Sequence, residues 1–497
     1  MSSRSQAAIS IWRARNIRTT GDRAFAIYTV LMLALVAVIP IGRAVWLSAT
    51  SPTGLSLLAD AAAPRIASLI VAALWAGALL LGRDRGPAVL PPFVTHALAT
   101  SDLPRFNTFG AALLRSGMIV VTGCMIVAGL ISTSLASNGL AGAQAVANFI
   151  AVGTLVGVIT TVAWLVGQVF PRAAVVGALG ILALGVVAVA VPASQTYLPW
   201  GWVGLAYPTS GGSPSLLALT ALALSLVGLV PVLMNRLGFE QLAMQAARWE
   251  SATTHAVGMD FSSAATIYQP KPHFGRRIRA VRPYGRLARI FFVRDAIGAI
   301  RTPGRLIVSI VALSGAGVLL AFAFVPTAPG WLLGATAGVI AFAGLGPLTD
   351  GIRHAAGVAS GFPLYGMSDE RLLTHHALFP LVVTLVMLLA VVILCSIIFG
   401  TASGAAAVSS IALALLALAT RISNALKGSL PIALLTPMST PAGDPMAAVR
   451  VIWGLDAILL AALGGAAAVL AFESPILLLG ISTALTGIVV TRWRDRR

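Results

Sequence analysis

Lysine is almost missing from this chain. It occurs twice in 497 residues, as Lys271 and Lys427, followed by Pro272 and Gly428. A P-loop needs lysine followed by Ser or Thr to reach the phosphates, so the chain is not its own ATPase by that route. Cysteine is as scarce. Cys124 and Cys395 fall in separate apolar runs, in no metal or redox spacing, and read as packing residues. The six histidines, His96, His255, His273, His354, His375 and His376, form no HExxH pattern, so no metal site is expected. The His375-His376 pair reads as an interfacial helix start. Outer-side carboxylates number two, Asp60 and Glu473, too few and too far apart for a lipid-linked transferase site. No catalytic residue is expected, and no cofactor bound by this chain.

What is present is apolar. Hydrophobic residues make up 58% and charged residues 10%, with a mean hydropathy of +0.94, which excludes a soluble globular protein. A membrane span needs about 20 apolar residues, and twelve runs approach that length. The first six are 24–45, 66–82, 112–135, 144–169, 173–191 and 215–234; the second six are 306–325, 331–348, 377–399, 402–420, 448–471 and 475–491. The expected fold is an all-α polytopic membrane protein, with about twelve transmembrane helices in two related six-helix bundles. Its divisions are a first half over 1–236, a cytosolic linker over 237–286 and a second half over 287–497. The first run follows an Arg-rich segment and is long enough to stay as a span rather than be cleaved.

Charge orients the spans. With a cytosolic N-terminus, 31 of the 33 basic residues fall on inner segments, leaving Arg43 and Arg65 outside. The positive-inside rule then places both termini in the cytosol of a multi-pass cell-membrane protein. The +18 balance needs no nucleic acid to explain it. Anionic lipid is the default partner of the basic stretch 271–305.

Two segments share one grammar. In 287–305, Ile290, Val293, Ile297 and Ile300 recur at helical spacing, with Arg289, Arg294, Asp295 and Arg301 off that line. This reads as an amphipathic elbow helix at the membrane surface, broken at Pro303-Gly304 before the next span, with Arg294, Arg301 and Arg305 facing headgroups. In 7–23, Ile11 and Trp12 sit among Arg13, Arg15 and Arg18, ahead of Thr19-Thr20-Gly21. Arg13 and Arg18 are its lipid-facing counterparts. The other reading is two ordinary basic flanks of unrelated helices.

The inner loops over 83–115 and 350–374 fall after the second run of each half. Each has a helix-start signature, at Ser101-Asp102-Leu103-Pro104-Arg105 and Ser368-Asp369-Glu370-Arg371. Either each starts a short capped helix, or each Asp caps the third span itself. The linker carries a stripe of Phe239, Leu242, Ala246 and Trp249. An outer element over 195–212, with Tyr197, Trp200, Trp202 and Tyr207, suits an interfacial helix or re-entrant turn at headgroup depth. It has no counterpart of similar length in the second half. Glycine pairs at Gly153/Gly157, Gly334/Gly338 and Gly400/Gly404 permit close helix contact. At membrane depth the one ionisable residue expected is Asp456. It either serves function, or is kept neutral or hydrogen-bonded to a neighbouring helix.

An elbow, six spans, a long inner loop after the second span and an outer element before the sixth, all repeated, resemble the transmembrane part of ABC-2-type (type V) exporters. RDAIGAIRTPGRL at 294–306 and TPAGDPMAAVRVIWGLD at 440–456 are similar to actinobacterial ABC permeases with two fused halves. The resemblance covers most of the chain and carries no catalytic residue. It implies a permease subunit, not an enzyme, that exports an unidentified substrate by alternating access. A separate ABC ATP-binding subunit, in two copies, would bind the ATP and Mg. The inner loops would dock on that subunit around 95–105 and 361–371, with Asp102, Arg105, Asp369 and Arg371 as coupling residues. The alternative is an ion-coupled secondary transporter of the major facilitator type, which also has twelve spans in two sixes. Asp84-Arg85-Gly86 is similar to part of that family's inner-loop motif, but lacks its spacer and a second-half counterpart.

Overall fold

The computed structural model describes residues 20–497 apart from 102, 211–213, 258–260, 270–273, 276–285, 327, 360–365, 402, 429, 432, 433, 435–445 and 497. Before residue 20 it describes only 7, 9–11 and 14. Every regular element among the described residues is a helix. Hydrocarbon offers no water to a peptide group, and a helix satisfies its backbone within one segment. The chain is an all-α polytopic membrane protein.

It divides into two compact units, Met1–Thr254 and His255–Arg497, so the division falls inside the stretch expected to be a linker. In the first unit, α1 (Thr20–Leu33) passes through a π-helical turn, Ala34–Val38, into α2 (Ile39–Ala49). The turn has a cause in the sequence. Pro40 brings no N–H and its ring displaces the carbonyl one turn back, so the preceding turn widens. There follow α3 (Pro52–Leu58), α4 (Ala63–Asp84), α5 (Pro92–Ala99), α6 (Arg105–Ala136) and α7 (Ala143–Val169). Next come α8 (Ala173–Ala190), a 3-10 turn over Pro192–Thr196, α9 (Gly201–Leu205), α10 (Pro214–Asn235) and α11 (Phe239–Val257).

Close approach in this unit depends on glycine. A Cβ on Gly82 would lie 2.1 Å from the Trp164 carbonyl oxygen, and one on Gly167 would lie 2.0 Å from that of Leu79. The backbones of α4 and α7 therefore touch. Gly153 and Gly157 do the same between α7 and α6, against Cys124 and Val121. The aromatic element over 195–212 is packed into the protein on one side. Trp200 and Tyr207 are buried; Trp200 meets Trp75 edge-on at 6.3 Å and Tyr207 meets Phe149 at 5.4 Å. The Tyr207 hydroxyl donates to the Leu58 carbonyl at 2.9 Å. The element packs onto α4 and α7, and Tyr197 is left outward.

The second unit contains α12 (Phe261–Ile267), α13 (Leu287–Ile300), α14 (Pro303–Phe322), α15 (Gly330–Leu345) and a 3-10 turn, Gly346–Leu348. It continues with α16 (Asp350–Val358), α17 (Asp369–Phe399), α18 (Ser403–Leu426), α19 (Met446–Leu470) and α20 (Pro475–Arg496). Its glycine contacts join a different pair of helices. Cβ atoms on Gly338 and Gly465 would each meet a carbonyl oxygen at 2.1 Å, of Ala461 and Gly334 respectively, so α15 lies against α19. Gly400 takes φ +65° and ends α17, and a Cβ on Gly404 would meet nothing within 4 Å. The third glycine pair is thus a turn and not a helix contact. Buried hydroxyls stitch helices together: Ser309 donates to the Gly344 carbonyl at 2.5 Å and Ser409 to that of Ala468 at 2.6 Å.

Ten helices among the described residues are long and apolar enough to cross a membrane. The remaining two expected runs take other forms. One is interrupted by the π turn before Pro40, and the other, Ala173–Val189, is shorter. Outward faces such as Ile397 and Ile476, 76% and 80% exposed, suit an acyl-chain solvent and not water.

Candidate functional site

Polar side chains of the second unit gather where α14, α17 and α19 begin and α15, α18 and α20 finish. The first cluster joins α13 to α17. His376, wholly buried, lies with Nδ1 2.6 Å from Asp295 Oδ2 and Nε2 3.1 Å from an Arg294 guanidinium nitrogen. A guanidinium only donates, so Nε2 accepts and the imidazole proton sits on Nδ1, donating to the carboxylate. Neighbouring His375 stacks on Phe291 at 5.6 Å.

This geometry corrects the elbow. Helix α13 buries Phe291 and Ala299, on the side opposite the line Ile290–Val293–Ile297–Ile300, which is left half-buried or exposed. That line still faces away from the bundle. The arginines differ from expectation: Arg294 turns to His376, and Arg305 forms a two-pronged pair with Asp350, at 2.8 and 3.1 Å. Each therefore has a side-chain partner within the unit. Arg301 caps α13, and its carbonyl accepts from the Phe274 amide at 3.3 Å. Arg13 and Arg18 lie outside the described residues.

The second cluster surrounds Asp456. Lys427 Nζ lies 2.6 Å from Oδ1, and an Arg492 guanidinium nitrogen pairs with Oδ2. The three side chains are only 8–16% exposed. Lys427 also donates to the Trp453 carbonyl and lies 4.8 Å over its ring. Asp456 is therefore not a solitary acid at membrane depth, but the shared counterion of two cations that follow or close neighbouring helices. Burial pushes the Lys427 ammonium below its usual pKa range, and the bond to Asp456 opposes that shift. Sequence reasoning missed the triad because its members are 29 and 36 residues from Asp456, with no local spacing to link them.

Between these clusters lies a cavity of about 940 Å³. Arg305, Arg353, Arg421, Lys427 and Arg496 line it, and among the described residues no carboxylate does. Asp350 pairs with both Arg305 and Arg353. Burial lowers the Arg353 pKa, partly countered by Asp350. Arg421 lies 3.7 Å over the Phe342 ring and donates to the carbonyls of Phe342 at 2.6 Å and Ala343 at 3.3 Å. Arg496 donates to the carbonyls of Leu426, Ala356 and Lys427 at 2.9–3.4 Å. The sequence signal for this site was weak: single arginines at the ends of separate helices, each of which reads alone as an inner flank.

The expected coupling residues do not form one motif. Both inner loops contain a short helix, α5 and α16, but neither helix starts at the Ser-Asp signatures. Asp369 begins the long α17 itself, behind Ser368, and α6 begins at Arg105 behind Pro104. Asp102 lies outside the described residues. Arg105 donates to the Leu98 carbonyl at 3.2 Å, strapping α5 to α6, whereas Arg371 is exposed in the first turn of α17.

In the first unit the end of α7 carries neutral side chains instead. There Gln168 and Gln245 bond to each other at 2.8 Å. Gln245 also donates to the Gly82 and Arg83 carbonyls at 3.2 Å and accepts from the Gly86 amide at 3.3 Å. This neutral network on the touching pair α4 and α7 fills the space, and Arg85 covers the Trp249 ring at 3.2 Å. Among the described residues no group of three or more His, Cys, Asp or Glu side chains is placed to hold a metal. No family model, no curated protein and no solved structure matches this chain.

Proposed function

We propose that this chain is the membrane-spanning permease subunit of an ABC exporter, driven by a separate ATP-binding subunit. The observation that supports the reading is the short helix between the second and third long helices of each unit's second-span loop, present independently in both units. Helix α5 buries Val94, Thr95 and Leu98 and leaves Phe93 and His96 outward; α16 buries Ile352, Ala355 and Ala356 and leaves Asp350, His354 and Gly357 outward. An ATPase can move the spans only by pushing on such seated inner elements, and these two are seated on α6 and α17. Arg371 lies beside α16 on the exposed turn of α17 and is the docking charge of the second unit. Arg105 acts within the first unit by holding α5 to α6.

Export by alternating access, a plasma-membrane location and cytosolic termini belong to the same proposal. Its test is capture of the tagged full chain from its native membrane, followed by measurement of ATP hydrolysis. An ATPase with Walker motifs should co-purify, and Arg371→Glu should weaken its association without loss of membrane insertion. Flux driven by a proton or sodium gradient, with no ATPase bound, would favour the secondary-transporter alternative and overturn this one.

A further inference from the structure

We propose that the cavity of the second unit binds a phosphate-bearing anion, clasped by Arg421 and Arg496 within the positive field of Arg305, Arg353 and Lys427. The proposal does not rest on the permease reading, since it concerns one cavity within one unit.

Charge accounting comes first. Six cations meet around this cavity: the five that line it and Arg492 just behind. Two carboxylates answer them, Asp350 and Asp456, and neither lines the cavity. Counted over the described residues, the site thus carries a formal excess of four positive charges. Arg421 and Arg496 make their hydrogen bonds, among the described residues, to backbone carbonyls alone. Carbonyls orient a guanidinium without neutralising it. A guanidinium has five N–H donors, so Arg421 keeps three beyond its two bonds and Arg496 keeps two beyond its three. Charge held at low exposure without a counterion is costly.

The chemistry of the occupant follows from the number and spread of the donors. A carboxylate has two oxygens to share between cations, as Asp350 does, whereas a phosphate offers more oxygens on a tetrahedral centre and can meet several separately placed arginines. The cavity is much larger than a bare phosphate, and Phe342, Leu455 and Ile458 share its wall with the cations. Its volume is within the usual range of about 300–1,000 Å³ for organic ligands. The mixture of apolar wall and cationic floor accepts either a soluble phosphate or the phosphodiester headgroup of an anionic lipid entering from the bilayer.

The test uses the full-length chain purified in uncharged detergent. In one arm, inorganic phosphate is titrated and binding is read by calorimetry and by the shift in melting temperature. In the other, the chain is placed in phosphatidylcholine nanodiscs with and without phosphatidylglycerol, and retained lipid is counted by native mass spectrometry. Both arms are repeated with Arg421→Gln/Arg496→Gln and with Asn424→Asp. Asn424→Asp adds a carboxylate to the cavity wall and keeps every arginine, so it carries the test if the double variant does not fold. Losing two charge-assisted contacts should weaken binding at least roughly tenfold. Phosphate binding lost in the variants identifies a soluble phosphate as occupant. Retention of phosphatidylglycerol alone, lost in the same variants, identifies a lipid headgroup. Binding in neither arm, or binding that the variants leave unchanged, overturns the proposal.

Discussion

Lys427 Nζ lies 2.6 Å from Asp456 Oδ1, joining the residue that follows α18 to a carboxylate well inside α19. Arg492 of α20 holds the other oxygen, so one acid ties three helices at one end of the unit. The arrangement is asymmetric: two cations depend on one anion, but the anion has two partners.

That asymmetry gives a paired prediction. Asp456→Asn should lower stability by about 2 kcal/mol, below the roughly 3–5 for breaking a fully buried pair, because it leaves two cations facing each other. Lys427→Met should cost clearly less, since Arg492 still holds the carboxylate. The measurement is thermal unfolding of the two variants in the same detergent. Equal costs, or a silent Asp456→Asn, would remove the triad from the account.

Gly167→Ala should destabilise the first unit by about 1–3 kcal/mol, because the new Cβ would lie 2.0 Å from the Leu79 carbonyl oxygen and α4 would have to move. Gly123→Ala, where a Cβ meets nothing within 4 Å, should be neutral or gain up to about 1 kcal/mol from helix propensity. Chemical unfolding of the pair separates a backbone-contact glycine from a merely permissive one.

Burial pushes the Tyr207 hydroxyl up to about 12 from an ordinary value near 10. Between these values the unfolded chain has lost a proton that the folded chain keeps, so stability falls as pH rises through about 10 to 12. Tyr207→Phe should cost about 1 kcal/mol at neutral pH, from loss of the bond to the Leu58 carbonyl. It should also lack this alkaline loss, so the two melting curves should converge above pH 10. Curves that stay parallel to pH 12 would count against a buried, neutral Tyr207.

Topology is checked by cysteine labelling in a background with Cys124 and Cys395 replaced. An impermeant reagent should reach cysteines at Ser51 and Tyr197 from outside intact cells, and should reach Thr254 and Arg371 only after permeabilisation. Outside labelling at Thr254 would reverse the charge-based orientation.

Composition and run length determined the membrane class, because apolar stretches of span length have few soluble uses and a helix satisfies its backbone without outside help. Pro40 and Gly400 were visible in sequence, and each acts through its own backbone chemistry, one widening a helix and the other ending one. Paired glycines at Gly153 and Gly334 were equally visible, but their use was not. Gly153/Gly157 and Gly334/Gly338 meet other helices, while Gly400/Gly404 makes a turn, and only the packing of distant segments decides between those outcomes. The same limit applied to charge. Arg294, Arg305, Arg421, Arg492 and Arg496 each read locally as a basic flank, because a flank is all that sequence neighbours can show. Whether such a charge faces a headgroup, a buried histidine, a carboxylate or a cavity depends on which helix ends the fold brings together.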